Sequence, residues 1–223
     1  MKVSEALEAR ISVRAFTDEA IPLETLTRVF ESSARAPSGG NLQPWQIVIL
    51  TCDKLDEFKA LMRKRLAGEH HPDGEAAEYA VYPPNLKEPY RTARFQVGEE
   101  MYGLLGIGRD EKPKRLEWFA NNYQFFGAPA AAFCFVDRIM GPPQWADLGM
   151  YLQSVMLLFQ EEGIDTCPQE CWYNYPRTVS EFCDMPDELM LFCGIAIGYR
   201  DLDHPVNQLR TRRLPASEWL KVL

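Results

Sequence analysis

Three side chains near the start of the sequence could hold an anion. Arg10, Ser12 and Arg14 alternate directly after residues 3–9, which we predict to form a short helix capped by Ser4. In an extended segment alternate residues point to the same side, so all three would face one ligand. Guanidinium groups donate in pairs to phosphate oxygens, and the serine hydroxyl adds another donor. The alternative is a solvated charged surface, which this stretch alone does not exclude.

A second group of polar side chains lies in the turn-rich stretch 36–45, whose sequence is Ala-Pro-Ser-Gly-Gly-Asn-Leu-Gln-Pro-Trp. Its two glycines let the backbone approach a ligand closely. Ser38, Asn41 and Gln43 can form hydrogen bonds to a heteroaromatic edge or a polyol. A plain loop anchored by Trp45 is the alternative. The density of amide groups beside glycine favours a binding role.

Helices and strands must position these residues. Hydrophobic periodicity and capping signals predict helices and strands that alternate along the chain. We predict helices over residues 3–9, 22–33, 53–66 with Asp53 as the cap, 90–105, 111–126 and 146–162, and strands over 46–50, 128–136 and 188–199. The helix at 146–162 is apolar on nearly every side and must therefore be buried, and a second subunit could supply the cover.

We interpret residues 1–223 as a single domain, since a chain of this length can bury one full core. Residues 68–89 are rich in proline, glycine, asparagine and charge. Loops this long inside a compact domain are usually functional. We therefore expect residues 68–126 to be a lid or a substrate-pocket insertion.

Charge and hydropathy exclude several classes of function. Lys and Arg number 24 against 32 Asp and Glu, which gives a net charge of −8, the wrong sign for binding nucleic acid or an anionic membrane. The longest apolar stretch, 125–136, is too short to cross a bilayer, and acidic residues near the start argue against a signal peptide.

The cysteines and histidines suggest no metal site. Cys134 and Cys193 lie in strand-like apolar runs, and the Cys167 and Cys171 pair has no matching His or Cys pair downstream. We therefore predict a reduced, cytoplasmic protein that binds no metal. His70, His71 and His204 are expected on the solvated surface.

Four landmarks, in order, resemble the FMN-dependent nitroreductase family. They are Arg-x-Ser-x-Arg-x-Phe at 10–16, Pro-Ser-Gly-Gly-Asn-x-Gln-Pro-Trp at 37–45, Thr-Cys-Pro-Gln-Glu at 166–170 and Arg-Leu-Pro at 213–215. Together they span almost the whole chain. The middle, with Tyr82-Pro83-Pro84, Pro89-Tyr90, 106–109 and Asn122-Tyr123, resembles a nitrobenzoate-reductase-like subgroup.

The resemblance implies an α+β fold in which helices flank a central, mostly antiparallel sheet, and an interlocked homodimer with FMN at the interface. It also implies NAD(P)H-driven, ping-pong reduction of a small, electron-poor acceptor, nitroaromatic compounds above all. Alternatives are the same flavin chemistry on another substrate (reductive dehalogenation, quinone or enone reduction) and a flavin-binding carrier or sensor without turnover.

The resemblance also assigns residues to the cofactor, while the chemistry itself lies on the flavin and no side chain is catalytic. Arg10 and Ser12 lie nearer the phosphate, Arg14 nearer ribityl and ring, and Arg213 closes on the phosphate. The loop residues contact FMN from the neighbouring subunit; they are Pro37, Ser38, Gly39, Asn41 and Gln43. Pro168, Gln169 and Glu170 lie along the isoalloxazine ring, with the Glu170 backbone near N5.

Two positions depart from the family pattern. Ile11 stands where many members have a basic residue, and Thr211 stands where some members have a lysine. The neighbouring Arg210 or Arg212 could take the role of that lysine. No sequence pattern identifies the mid-chain polar residue that contacts the flavin pyrimidine in the family. Arg91 and Arg94 are candidates.

Overall fold

A four-stranded antiparallel sheet forms the centre of the computed structural model, which describes residues 1–68 and 75–223. The strands are β1 (Gln46–Thr51), β2 (Ala130–Asp137), β3 (Asp165–Gln169) and β4 (Leu189–Gly198), in the spatial order β1-β2-β4-β3. All three strand pairs are antiparallel. The expected mostly antiparallel sheet is therefore confirmed, and β3 is an edge strand that sequence reasoning did not predict as a strand.

Helices cover both faces of this sheet in the described residues. They are α1 (Val3–Ala9), α2 (Leu23–Ser33), α3 (Cys52–Leu66), α4 (Tyr90–Leu104), α5 (Lys112–Ala120), α6 (Pro142–Glu161) and α7 (Pro176–Phe182). α2 and α6 pack with one face of β2 and β4 in a single apolar cluster, which includes Leu26, Phe30 and Phe159. The fold is α+β, as expected.

The opposite face of the sheet supports a second apolar cluster. Phe58 of α3 contacts Phe133 of β2, Phe125 and Trp172 at ring-centroid distances of 5.3, 6.0 and 5.4 Å. These rings are fully buried or nearly so. Because one cluster lies on each face of the sheet, the strands that carry the functional residues are fixed from both sides.

Several predicted element boundaries are wrong. α1 begins after Lys2, whose backbone N–H donates to Glu5, so Ser4 lies inside the helix and does not cap it. α3 begins at Cys52 with Thr51 as the cap, which puts Asp53 in the first turn. α6 begins at Pro142 and not at the predicted residue 146. Proline is tolerated in a first helical turn because an N–H there would have no partner within the helix.

The predicted helix over 111–126 is shorter than expected. α5 ends at Ala120, and a 3₁₀ segment follows at Asn121–Gly127. Phe125 and Phe126 adopt left-handed conformations with φ of 52° and 55°. Both side chains are buried in the second cluster, so tertiary packing overrides the local helical pattern.

The candidate lid is tied to the body at its start. Glu75 accepts hydrogen bonds from the backbone N–H groups of Arg177 and Thr178 at the beginning of α7, and Glu78 pairs with Arg138 at 2.7 Å. The Tyr79 hydroxyl donates to the Phe192 carbonyl in β4. Residues 69–74 of the predicted lid, with His70 and His71, lie outside the described residues. No helix in the described part of the chain is long and apolar enough to cross a membrane.

Candidate functional site

The arginines near the N-terminus line a small cavity together with the C-terminal segment. Its walls are formed by Arg10, Ile11, Ser12, Arg14, Leu209, Thr211 and Arg213, and we call this cavity the arginine pocket. Val13 and Ala15, which alternate with the polar residues, are buried. All three polar side chains thus line one pocket, as an extended segment predicts, although Ile11 lines it too.

Hydrogen bonds to two elements hold this N-terminal segment in place. Ser12 forms a parallel bridge with Thr166 of β3, and the Val13 N–H donates to the Thr166 carbonyl at 3.1 Å. The buried Asn207 side chain accepts from the Arg14 N–H at 2.9 Å and donates to the Ala15 carbonyl at 2.8 Å. One asparagine thus joins the beginning of the chain to the start of its C-terminal tail.

The arginine pocket is strongly cationic. Within residues 1–68 and 75–223, Arg10, Arg14 and Arg213 make no ion pair with a carboxylate. The Arg213 guanidinium donates to the Thr211 hydroxyl at 2.7 Å, which orients it and leaves its charge uncompensated. At about 100 Å³ the cavity is smaller than the usual binding site for a whole ligand. It therefore suits one anionic group of a larger molecule.

β3 contacts the wall of this pocket near its start, through the Ser12–Thr166 bridge, and leads from there to Pro168, Gln169 and Glu170. Pro168 and Glu170 are exposed, whereas Gln169 is buried. The Gln169 amide donates to the Asn122 carbonyl at 2.7 Å and accepts from the Trp172 indole at 3.3 Å. The Gln169 side chain therefore fixes the strand end within the protein, and only its backbone is left to contact a ligand.

Glu170 contributes a backbone donor at this strand end. In the part of the chain that the structure describes, its N–H makes no hydrogen bond. The residue is exposed as a whole, but neighbouring atoms remove part of the water around its carboxyl, and this desolvation raises the pKa of Glu170. An unpaired N–H at an exposed strand end is suited to a ligand acceptor atom.

The glycine-rich loop is exposed and held in an unusual conformation. Gly40, Asn41 and Gln43 all have positive φ, between 50° and 59°. Such a conformation in residues other than glycine is costly and clusters at binding sites. The Gln43 N–H donates to the Ser38 hydroxyl at 3.0 Å, and the Gln43 amide donates to the Asn41 carbonyl at 3.3 Å. These bonds stabilise the loop internally.

Two residues of α6, one turn apart, anchor this loop. The buried Asp147 carboxylate accepts from the Gly39 N–H at 3.1 Å, and Trp45 stacks on Tyr151 with centroids 4.6 Å apart. Residues four apart lie on the same face of a helix, so α6 holds both ends of the loop. Sequence reasoning did not identify Asp147 or Asn207. Asp147 is a polar residue inside the apolar pattern of α6, whereas Asn207 lies in a polar segment and gives no such signal.

The structure joins three of the four sequence landmarks in one place. The segments around 10–16 and 213–215 line the arginine pocket, and the 166–170 segment joins them through Thr166, which bridges to Ser12 in the pocket wall. The loop at 37–45 makes no hydrogen bond or ion pair with that pocket among the described residues. Neither Arg210 nor Arg212 lines the pocket: Arg210 donates to the carbonyls of Asn207 and Leu209, and Arg212 lines a neighbouring groove.

Comparisons with known proteins identify the fold and the family. The family profile described as the Nitroreductase family matches residues 7–199. The chain belongs to the nitroreductase family. A 4-nitrobenzoate reductase from Pseudomonas putida is 32% identical over 205 residues, covering 92% of this chain and 88% of that protein.

Solved nitroreductase structures match the whole chain. The crystal structure of the FMN and NADPH-dependent nitroreductase NfnB from Sphigopyxis sp. strain HMH has a TM-score of 0.95 and 45% identity, covering 100% of this chain and 99% of that one. FMN-dependent NfnB from Mycobacterium smegmatis, solved in complex with NADPH, has a TM-score of 0.92 and 28% identity, covering 99% and 98%. The nitroreductase fold expected from the sequence is confirmed.

The residues of this nitroreductase fit an FMN cofactor. The arginine pocket offers uncompensated guanidinium groups to one terminal phosphate, and the free Glu170 N–H offers a donor to a ring nitrogen. The cysteines supply no competing redox site in the described residues. All six are free thiols, and burial raises the pKa of Cys167 and Cys171, which keeps both protonated.

Proposed function

We propose that this nitroreductase binds FMN and uses NAD(P)H to reduce nitroaromatic or similarly electron-poor small molecules. The observation that carries the proposal is the arginine pocket, where Arg10, Arg14 and Arg213 converge without carboxylate partners, among the described residues, in contact with β3. The relatives described as FMN- and NADPH-dependent nitroreductases support the same cofactor and electron donor.

When bound, FMN supplies the two-electron chemistry, and the protein supplies binding, orientation and electrostatics. Arg10, Ser12 and Arg213 hold the phosphate. Arg14 would bring positive charge to the bound flavin, which favours the negative charge of its reduced form. The Glu170 N–H would be a hydrogen-bond donor to the ring, and Pro168 would be one of its apolar contacts.

We further propose a homodimer in which the loop of each subunit completes the site of the other. The loop residues Pro37, Ser38, Gly39, Asn41 and Gln43 are exposed or half-buried in a single chain, and among the described residues none of them lines that chain's own arginine pocket. Asp147 and Tyr151 hold this loop rigidly. A rigid, exposed loop of hydrogen-bonding groups is suited to a partner's cofactor.

A ping-pong order follows if one pocket serves both donor and acceptor, since NAD(P)H must leave before the nitro compound enters. The free thiols favour a reducing compartment, and we propose a cytoplasmic location. The net charge of −8 gives no support to nucleic-acid binding.

The identity of the cofactor is the first test. Heat-released chromophore from the purified protein should co-elute with FMN on chromatography, and the holoprotein should oxidise NADPH or NADH when 4-nitrobenzoate is added. FAD in place of FMN would contradict the single-phosphate assignment, and a protein without flavin would refute the proposal.

A further inference from the structure

The arginine pocket has two walls that come from opposite ends of the chain. Residues 10–14 form the N-terminal wall. Leu209, Thr211 and Arg213 form the C-terminal wall, and their alternation is typical of an extended segment. Asn207 lies two residues before the C-terminal wall begins and is only 4% exposed. It does not line the pocket itself.

The side chain of Asn207 is fixed by hydrogen bonds on every side. Its Oδ1 accepts from the Arg14 N–H at 2.9 Å, and its Nδ2 donates to the carbonyls of Ala15 and Asp201, each at 2.8 Å. Both N–H groups and the oxygen of this buried amide are therefore used, which allows it one orientation. In that orientation it binds directly to the backbone of the N-terminal wall.

Asn207 is also the polar connection between the two walls. Among residues 1–68 and 75–223, no other residue after Asp201 forms a hydrogen bond with the segment 10–17. Arg210 donates to the carbonyls of Asn207 and Leu209, and its bonds therefore stay within the C-terminal part of the chain. The Arg213 bond to the Thr211 hydroxyl stays there as well.

The charges of the pocket oppose this arrangement. Arg10, Arg14 and Arg213 line a cavity of about 100 Å³ and have no carboxylate partner within the described part of the chain. Like charges repel one another at short distance when no anion lies between them. Residues 210–223 are exposed, so burial does not hold Arg213 in place. The separation of the walls therefore depends on the connection at Asn207.

We propose that Asn207 is a positioning residue that sets the separation of Arg213 from Arg10 and thereby the preference of the pocket for a terminal phosphate. The inference rests on the proposed function and adds to it a residue that contacts neither the phosphate nor the ring. Loss of Asn207 should weaken the binding of FMN much more than that of riboflavin, because riboflavin lacks the phosphate.

The test compares the affinities of the apoprotein for FMN and riboflavin by fluorescence titration. Asn207→Ala should lower the ratio of FMN affinity to riboflavin affinity by about 10- to 100-fold, the change expected for one charge-assisted contact. In the Asn207→Ala background, Arg213→Ala should change this ratio by less than about 3-fold, because a guanidinium that no longer reaches the phosphate has little left to lose.

Gln208→Ala is the matched control. Gln208 follows Asn207 in the same 3₁₀ segment, Pro205–Gln208, and its amide donates to the Leu202 carbonyl at 3.4 Å. It makes no hydrogen bond with the N-terminal wall in the described ranges, so the variant should keep the parent ratio.

The outcomes separate positioning from a purely structural role. An equal loss of affinity for both flavins in Asn207→Ala, full additivity with Arg213→Ala, or a parent that does not prefer FMN overturns the inference. If circular dichroism shows that Asn207→Ala does not fold, Asn207→Ser is measured in its place, because its hydroxyl can still donate to one carbonyl. An unfolded Asn207→Ser also overturns the inference.

Failure of the proposed function gives a different result. If the parent binds neither flavin, the proposed function fails, and calorimetric titration with inorganic phosphate then decides the role of Asn207. Weaker phosphate binding to Asn207→Ala than to the parent and Gln208→Ala supports the inference, and equal binding or no binding overturns it.

Discussion

At the residue scale, the arginine pocket differs from the other charged clusters because its cations have no carboxylate partners within the described ranges. Arg28, Arg115 and Arg138 all pair with glutamates, whereas Arg10 and Arg213 do not among the described residues. The alternate positions of the polar residues at 10–14 predicted that their side chains share one direction. In an extended segment every second side chain points to the same side. The inward direction of Gln169 was not predictable, since its partner Asn122 is far away in sequence.

Removing one phosphate contact should weaken FMN binding without unfolding the protein. Arg10→Ala and Arg213→Ala each delete a charge-assisted contact, and we expect each to cost about 1.5–3 kcal/mol of FMN binding free energy. Fluorescence titration of apoprotein with FMN measures this. Arg212→Ala is the control, because Arg212 lines only the neighbouring groove. If the Arg10 and Arg213 variants retain parent affinity, the phosphate assignment is wrong.

At the element scale, β4 positions the functional end of β3 through a packed indole. Gly194 of β4 is the register partner of Gln169, and the buried Trp172 ring packs directly over it. Apolar periodicity predicted β4 and α6, because each buries a continuous face. It failed at Phe125 and Phe126, where the second cluster determines the backbone, and it missed β3, whose exposed proline and short length conceal the strand pattern.

A single methyl group at Gly194 should disturb this arrangement. A Cβ there would lie 2.5 Å from the Cδ1 and Nε1 atoms of Trp172, so the indole must move. We expect Gly194→Ala to lower the free energy of unfolding by about 1–3 kcal/mol, as overpacking does. Urea denaturation of the apoprotein measures it. Gly103→Ala, in α4 with no atom within 4 Å of its Cβ, should instead stabilise by about 0.5–1 kcal/mol. Equal effects of the two changes would contradict this packing.

At the scale of the whole molecule, the apolar surface differs from what the sequence predicted. α6 was expected to need cover from a second subunit, yet residues such as Leu148, Val155 and Phe159 are buried within one chain. By contrast α5 buries no residue, and its Leu116 is 69% exposed. Leu42, in the glycine-rich loop, is 52% exposed. Met150 of α6 is also 41% exposed, so α5, the loop and part of α6 all present apolar surface to the proposed partner subunit.

Dissociation of the proposed homodimer into subunits should release its flavin. If the loop at 37–45 completes the partner's site, dissociation exposes the cofactor, and dimer and flavin are lost together. Sedimentation velocity over a dilution series, followed by both protein and flavin absorbance, should show one flavin-loaded dimer. A stable monomer that retains flavin would refute the shared site.

The most direct test of the central claim separates the two half-reactions under anaerobic conditions. The yellow holoprotein should bleach with one equivalent of NADPH or NADH. Once the nicotinamide has been removed, its colour should return on addition of 4-nitrobenzoate, because the bound flavin retains the electrons. Colour that returns only while nicotinamide is present would contradict the shared-pocket, ping-pong mechanism. Failure of the colour to return with any nitro compound would contradict nitroaromatic reduction itself.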